Sequence, residues 1–208
     1  MPTDERAPRD ISKVSPDTTQ LKAMAHPVRL KILGMLRMDG PATASGLAAR
    51  LGLNSGATSY HLRQLADAGL IVDDDARGNG RDRWWRAAHE STTTRHVSWD
   101  EPEKRAAVDA FIATAAGQMV AVLQESVAER PELPEEWAEV TDASDYGIWL
   151  TPAQVKDVTR QLHEVLSQVY RSAPTREEAG PDTAQVFFQL HAFPAPGRLP
   201  HRAAREMP

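Results

Sequence analysis

Residues 47–71 read LAARLGLNSGATSYHLRQLADAGLI, and this stretch decides how the rest of the chain is interpreted. It holds two apolar patterns of helical spacing, the first formed by Leu47, Ala48 and Leu51 and the second by Thr58, Leu62 and Leu65. Gly52 separates the patterns and Gly69 follows the second, and glycine commonly ends a helix. Either Asn54 or Ser55 can act as the N-cap of the second helix. The stretch therefore predicts two short helices joined by a three-residue turn, a helix-turn-helix unit.

The sequence before this unit, LKAMAHPVRLKILGML, carries apolar residues at helical spacing on both sides of His26–Pro27. The residue before proline resists helical geometry, whereas proline suits a first helical turn. We therefore predict two consecutive helices with a corner at Pro27. A turn follows at Asp39–Gly40–Pro41, and Thr43 can cap the next helix.

The sequence after the unit predicts a β-hairpin. The apolar triplet Leu70–Val72 is followed by the polar run DDDARGNGRDR and then by Trp84–Ala87. Two apolar segments around a glycine-rich tip are typical of a hairpin. Beside a helix-turn-helix unit, such a hairpin would be a wing, and together they predict a winged helix domain over residues 17–90.

Residues 101–130 are predicted to form a long amphipathic helix, because no proline occurs from Glu103 to Arg130. Its apolar stripe consists of Phe111, Ala115, Met119 and Val122. An exposed stripe of this length favours association, so we expect it to hold a homodimer together. The alternative is that the C-terminal part of the same chain covers the stripe.

Residues 131–193 are predicted to form a small strand-helix-strand module. A short strand is expected at Tyr146–Leu150, and the capping-box pattern Thr151–Gln154 opens a helix. The second strand is expected in AQVFFQLHAF, where apolar residues alternate. The module is expected to serve dimerisation or to bind a small-molecule effector in a cleft lined by aromatic side chains, although aromatic residues in a small domain are more often core. Residues 1–16 and 194–208 are expected to be flexible tails.

Composition limits the class of protein and its compartment. The chain of 208 residues has no cysteine, which favours a reducing compartment and excludes thiolate metal sites. We expect a soluble, cytoplasmic protein without a signal peptide or a membrane-spanning run. The net charge is −5, yet Lys and Arg exceed Asp and Glu by four over residues 20–89. A cationic segment in an acidic protein favours a polyanionic partner for that segment.

Three motifs in the same order resemble the ArsR-type winged helix-turn-helix family of transcription regulators: LKAMAHPVRLKIL, the stretch quoted first, and the wing RGNGRDRWWRA. The resemblance covers about a third of the chain. It implies an α+β protein that binds double-stranded DNA, represses transcription and acts as a homodimer. Family members often sense metals through cysteine and histidine clusters, and this chain departs from that pattern. No histidine set has the spacing of a metal site, so no metal and no cofactor are expected.

Candidate DNA-contacting residues lie on the second helix of the unit and on the wing. With Thr58, Leu62 and Leu65 turned inward, a step of about 100° per residue turns Gly56, Tyr60 and Arg63 outward. The predicted set on this helix is Ser55, Gly56, Ala57, Ser59, Tyr60, His61, Arg63 and Gln64. The predicted set on the wing is Arg77, Arg81 and Arg83, although nearby acids can offset these cations.

Two other functions remain open from the sequence. A winged helix can contact a protein instead of DNA, which would make the chain an interaction adaptor. An enzyme fused to a DNA-binding domain would need a polar pocket in residues 131–193, but no catalytic constellation stands out. We therefore expect a protein that is not an enzyme.

Overall fold

The structure is a computed structural model that describes residues 12–77, 82–93 and 101–199. These residues fall into two units, one within Asp10–Thr141 and the other within Asp142–Pro208. The helices of the first unit are α1 (Thr18–Met24), α2 (Pro27–Met38), α3 (Ala44–Leu51), α4 (Ser55–Asp67), α5 (Pro102–Glu129), a short 3-10 helix (Arg130–Glu132) and α6 (Glu135–Val140). Its strands are β1 (Lys13–Val14), β2 (Ala42–Thr43), β3 (Ile71–Asp73), β4 (Trp84–Ala87) and β5 (Ser91–Thr92). The second unit contains α7 (Pro152–Ser172).

The predicted helix boundaries around the helix-turn-helix unit are confirmed, and local chemistry explains each of them. Helix α2 begins at Pro27, and the His26 side chain accepts a hydrogen bond from the Val28 amide. Thr43 caps α3, which ends where Gly52 takes a left-handed conformation with φ of 65°. Asn54 caps α4.

One apolar core holds α1 to α4 and the wing together. Its fully buried members include Met24, Ile32, Leu33, Leu47, Leu62, Leu65 and Leu70. Thr58 is also fully buried, and its hydroxyl donates to the Asn54 carbonyl oxygen at 3.1 Å. The inward face of α4 is therefore the predicted one, which fixes the outward face of the same helix.

The wing is part of a three-stranded antiparallel sheet in the order β2-β4-β3. In this sheet Asp73 lies opposite Trp85, and Thr43 lies opposite Trp84. The hairpin was predicted, but the two-residue strand β2 was not. So short a strand has no periodicity, and only its pairing with β4 reveals it.

The prediction of a flexible tail over residues 1–16 is wrong for the last part of that segment. Strand β1 pairs in parallel with β5, and the Ser12 amide donates to the Glu90 carboxylate at 2.9 Å. Arg37 secures the same region from α2, because it donates to the His89 carbonyl oxygen and to the Thr92 hydroxyl at 2.9 and 3.0 Å. Burial lowers the pKa of this guanidinium to about 10. These contacts join residues far apart in sequence, so a local pattern could not show them.

Helix α5 confirms the predicted long helix, and its first half packs on α1 and α2. Ala107 and Val108 are buried against Leu21. The Thr114 hydroxyl donates to the Ala25 carbonyl oxygen at 2.8 Å, and the Gln118 amide donates to the Pro27 carbonyl oxygen at 2.7 Å. These contacts fix which face of α5 is turned toward the winged helix.

The stretch Pro102–Glu132 is long and apolar enough to cross a membrane by length and composition alone. The expectation that no run has this length is therefore wrong, because the alanine-rich middle of α5 carries few charges. Length and composition do not separate such a helix from a packed helix of a soluble protein. The contacts of its first half with α1 and α2 are those of a packed helix.

In the second unit, Thr151 is the N-cap of α7 and forms the predicted capping box with Gln154. The strands predicted at Tyr146–Leu150 and in residues 184–193 are absent from the described residues 142–199, so that part of the fold prediction is wrong. A strand needs a neighbouring strand to which its backbone can hydrogen-bond, and it needs other side chains packed against its apolar face. None of the residues 142–199 is buried, and the unit supplies neither.

Candidate nucleic-acid interface

Helix α4 carries most of the predicted DNA-contacting residues, and its N-terminus is firmly fixed. The Asn54 side-chain oxygen accepts from the Ala57 amide at 2.8 Å. A Cβ at Gly56 would lie 3.3 Å from that same oxygen. Glycine at this position therefore leaves room for the cap, and it keeps the exposed first turn of α4 narrow.

The outward face of α4 is polar and accessible. Ser55, Gly56, Tyr60 and Arg63 are exposed, and Ala57, Ser59, His61 and Gln64 are partly buried at its flanks. Tyr60 retains 51% of its accessible surface. The structure thus places all eight predicted residues of α4 on or beside one accessible strip.

A groove of about 260 Å³ lies between the start of α3, the outward face of α4 and the wing. Its lining includes Thr43, Ser45, Ser59, Arg63, Arg83 and Trp85. The structure therefore brings the predicted residues Ser59, Arg63 and Arg83 together. Sequence reasoning missed Ser45, because its only local signal was a position in the first turn of α3.

The described wing arginines are held by acids within the wing. Arg83 forms an ion pair with Asp73, and its guanidinium carbon lies 4.2 Å from the centroid of the Trp85 ring. Arg77 lies 3.5 Å from the Asp74 carboxylate. Arg81 lies outside the described residues. The sequence left open whether nearby acids offset the wing cations. The structure shows such ion pairs for Arg77 and Arg83.

A histidine pair supports one flank of α4. The His26 and His61 ring centroids lie 4.8 Å apart, with the ring planes at 48°. Burial lowers the pKa of both imidazoles, and the cation of Arg29 lowers them further. Arg29 itself donates to the Ala23 and Lys22 carbonyl oxygens, which anchors it at the end of α1. The sequence placed His61 among the DNA-contacting residues and gave no sign of its contact with His26.

The predicted dimerisation stripe is divided between two environments. Phe111 packs against the core of the winged helix, and Ala115, Met119 and Val122 are partly buried. A neighbouring row on α5 is far more accessible: Ile112 retains 47% of its surface, Val120 and Leu123 retain 53%, and Val127 retains 65%. We call Ile112, Val120, Leu123 and Val127 the outer row. Their accessibility makes them the better candidates for contact with another chain.

Neither a metal centre nor an aromatic cleft emerges from the described parts of the chain. No group of three or more His, Asp or Glu residues there could hold a metal ion. Among the aromatic residues of the predicted C-terminal module (131–193), Tyr146, Trp149, Phe187 and Phe193 are exposed, and Trp137 is partly buried. Within residues 142–199, no core or cleft forms around them.

Comparison with known proteins identifies the part of the chain that contains α3 and α4 as a recognised domain. Residues 24–73 match a family model described as a helix-turn-helix domain. The HTH-type transcriptional regulator NmtR of Mycobacterium tuberculosis is 40% identical over 70 residues, which are 34% of this chain and 58% of that protein. The HTH-type transcriptional regulator YgaV of Escherichia coli is 52% identical over 52 residues, which are 24% of this chain and 52% of that protein.

Among solved structures, reduced HlyU from Vibrio cholerae N16961 is 28% identical, covering 44% of this chain and 79% of that chain, with a TM-score of 0.30. A TM-score of this size adds nothing to the assignment. Residues 24–73 thus form a helix-turn-helix domain, and the similarity to two HTH-type transcriptional regulators agrees with the resemblance that the three sequence motifs carry. The chain spans about half the length of the curated relatives it matches. Strand β4 of the wing, the whole of α5 and the second unit lie beyond the matched residues 24–73.

Proposed function

We propose that this chain is a cytoplasmic, sequence-specific regulator that binds operator DNA as a homodimer and represses transcription by occluding a promoter. The observation that carries the proposal is the accessible polar strip of α4 beside the groove that holds Ser59, Arg63 and Arg83. The role is not enzymatic. NmtR and YgaV, to which this chain is similar, are both transcriptional regulators, and this supports the same class of function.

Arg63 is the residue we assign to base reading. It is exposed on α4, between Ser59 and the end of the helix, and it lines the groove. A guanidinium can donate two parallel hydrogen bonds to guanine in the major groove. In the first turn of α4 the Ala57 amide donates to the Asn54 cap, and the exposed Ser55 and Gly56 lie at the positive end of the helix, which suits a phosphate group. A reading residue and a phosphate site on one helix are what a recognition helix requires.

We assign contact with the DNA phosphates beside the groove to the wing arginines Arg77, Arg81 and Arg83. The ion pair of Arg83 with Asp73 is largely solvent-exposed, with 62% and 31% of the two side chains accessible. Exposed ion pairs contribute about 0.2–1 kcal/mol. A DNA phosphate can therefore replace Asp73 as the partner at small cost, while Trp85 keeps the guanidinium stacked at the edge of the groove.

We assign dimerisation to α5, and its outer row would contact the second chain. The partly buried residues beside the outer row would complete the contact; these are Phe111, Ala115, Met119 and Val122. A two-fold axis along this face would place two copies of α4 in successive major grooves, roughly 34 to 36 Å apart.

Selection of bound fragments from genomic DNA by the full-length protein tests the proposal. The expected result is enrichment of fragments that share a two-fold-symmetric sequence. Enrichment of no sequence, together with recovery of a bound protein partner, would instead support an interaction adaptor.

A further inference from the structure

Helix α7 carries an apolar face that nothing in its own unit buries. The face consists of Val155, Val158, Leu162, Val165 and Val169, which we call the seam. Four of these side chains retain between 44% and 57% of their accessible surface. The helix itself is well defined, because the Thr151 hydroxyl accepts from the Gln154 amide and the Gln154 side chain accepts from the Thr151 amide. A stable helix with a bare apolar face requires a partner.

The spacing of the seam indicates what kind of partner it fits. Its residues follow one another at alternating steps of three and four, the repeat that keeps one face toward a second helix in a coiled coil. The 21 residues of α7 are about 31 Å long at 1.5 Å per residue. The seam runs along most of that length, so a second helix of similar length is the natural occupant.

The charges of α7 favour a copy of the same helix as that occupant. At about 100° per residue, all the charged side chains fall on the half of the helix opposite the seam. There Arg160 donates to Asp157 at 2.5 Å and to both Glu164 oxygens at 2.9 Å. The positions beside the seam are uncharged: Gln154, Thr159, Gln161, Leu166 and Gln168. Two copies can therefore approach along their seams without like charges meeting.

We propose that α7 pairs in parallel with α7 of a second copy of this chain along the seam, which adds a second contact to the regulator dimer. This inference rests on the proposed homodimer. Two heptads pair weakly in isolation, but a dimer already joined through α5 holds the two α7 helices at high effective concentration. Pairing would then strengthen the dimer well beyond what either contact gives alone.

A chain without cysteine allows a direct test by disulfide cross-linking. Leu162 is the middle residue of the seam and lies opposite its own copy when the two α7 helices run parallel. The variant Leu162→Cys of the full-length protein should form a disulfide-linked dimer under mild oxidation, at least tenfold faster than the control Lys156→Cys. Lys156 is exposed on the opposite side of α7, where two copies cannot bring sulfur atoms within bonding distance.

The outcomes separate this inference from the proposed function. Equal cross-linking rates in a protein that is dimeric by light scattering would overturn the pairing of α7 and leave the α5 dimer intact. A protein that is monomeric by light scattering and remains unlinked as Leu162→Cys would contradict both. As a second measurement, Leu162→Glu should raise the dimer dissociation constant at least tenfold, and an unchanged constant would overturn the pairing.

Discussion

The rings of His26 and His61 touch, with centroids 4.8 Å apart, and this contact joins the start of α2 to the middle of α4. The His26 Nδ1 atom accepts from the Val28 amide at 3.2 Å, so the neutral ring carries its proton on Nε2. The His61 Nδ1 atom is buried and has no hydrogen-bond partner within the described chain. Protonation of either ring would place a cation beside Arg29.

Stability should therefore fall as the solution becomes acidic. Both imidazoles have a pKa below the ordinary value of 6.5, chiefly because burial penalises the charged form. Between the folded and the unfolded pKa values, the unfolded chain binds more protons, so the free energy of unfolding rises with pH there. It should fall as pH drops below about 6.5. Urea unfolding at pH 7.5 and 5.5 measures this loss. The His61→Gln protein should lose less stability across that interval than the unaltered protein. An equal loss in the two proteins would exclude His61 as a source of the pH dependence.

The substitution Arg63→Ala should weaken binding to the selected operator by about 1–3 kcal/mol, or roughly 5- to 150-fold, because it removes a bidentate base contact. Binding to random DNA should change much less. Fluorescence anisotropy with both duplexes measures the difference. Lys31→Ala removes an exposed cation from α2 and serves as the control. Equal losses on the two duplexes would reassign Arg63 to phosphate contact.

Two substitutions in the wing should act in opposite directions. Arg83→Ala should weaken binding to all duplexes. It should also reduce the slope of the logarithm of the binding constant against the logarithm of the salt concentration by about one unit, because one phosphate contact is lost. Replacing Arg81 together with Arg83 should reduce it by about one to two units. Asp73→Asn should tighten binding up to about fivefold, because it frees Arg83 from its ion pair. Titrations at several salt concentrations measure both effects, and an Asp73→Asn protein that binds more weakly would refute a phosphate role for Arg83.

Dimerisation should depend on the outer row of α5 more than on the residues that face the winged helix. Leu123→Asp should yield folded monomers that bind half-sites weakly, since it places a charge in an exposed apolar contact. Ala121→Asp places the same charge at an exposed position on another side of α5 and should remain dimeric. Met119→Asp, at a partly buried position, should lower both stability and dimerisation. Light scattering and circular dichroism distinguish these results, and a dimeric Leu123→Asp protein would remove the outer row from the interface.

Metal ions should leave operator affinity unchanged. The chain has no thiolate, and its described residues offer no cluster of three metal-binding side chains. Stoichiometric Zn(II), Ni(II) or Cu(II) should therefore not shift the anisotropy curve. Saturable binding of any of these ions coupled to release of DNA would contradict the assignment of a regulator that does not sense metals.

The sequence predicted the elements that are specified by local chemistry. Pro27 sets the start of α2, Gly52 ends α3, and Thr151 with Gln154 opens α7, in each case through neighbours within four residues. The outward strip of α4 followed from its buried face. For these features, helix periodicity and capping were enough.

Features that depend on distant partners could not be predicted. Strand β2 and the pairing of β1 with β5 involve two residues each, and the ion pair of Arg83 with Asp73 forms only once the hairpin closes. The alternation in residues 184–193 predicted a strand, but a strand requires a partner that the described unit does not supply. The apolar stripe of α5 was predicted as one surface, whereas packing of Phe111 on the winged helix divides it.

The central claim, that α4 reads a specific operator, is tested most directly by one affinity ratio. The full-length protein is titrated at a fixed, physiological salt concentration against the selected operator and against a shuffled duplex of the same length and composition. We predict a dissociation constant for the operator that is at least about 10³-fold lower than that for the shuffled duplex, the lower limit for specific regulators. A ratio near one would show that the cationic segment binds DNA only through its phosphates, and it would contradict sequence reading by α4.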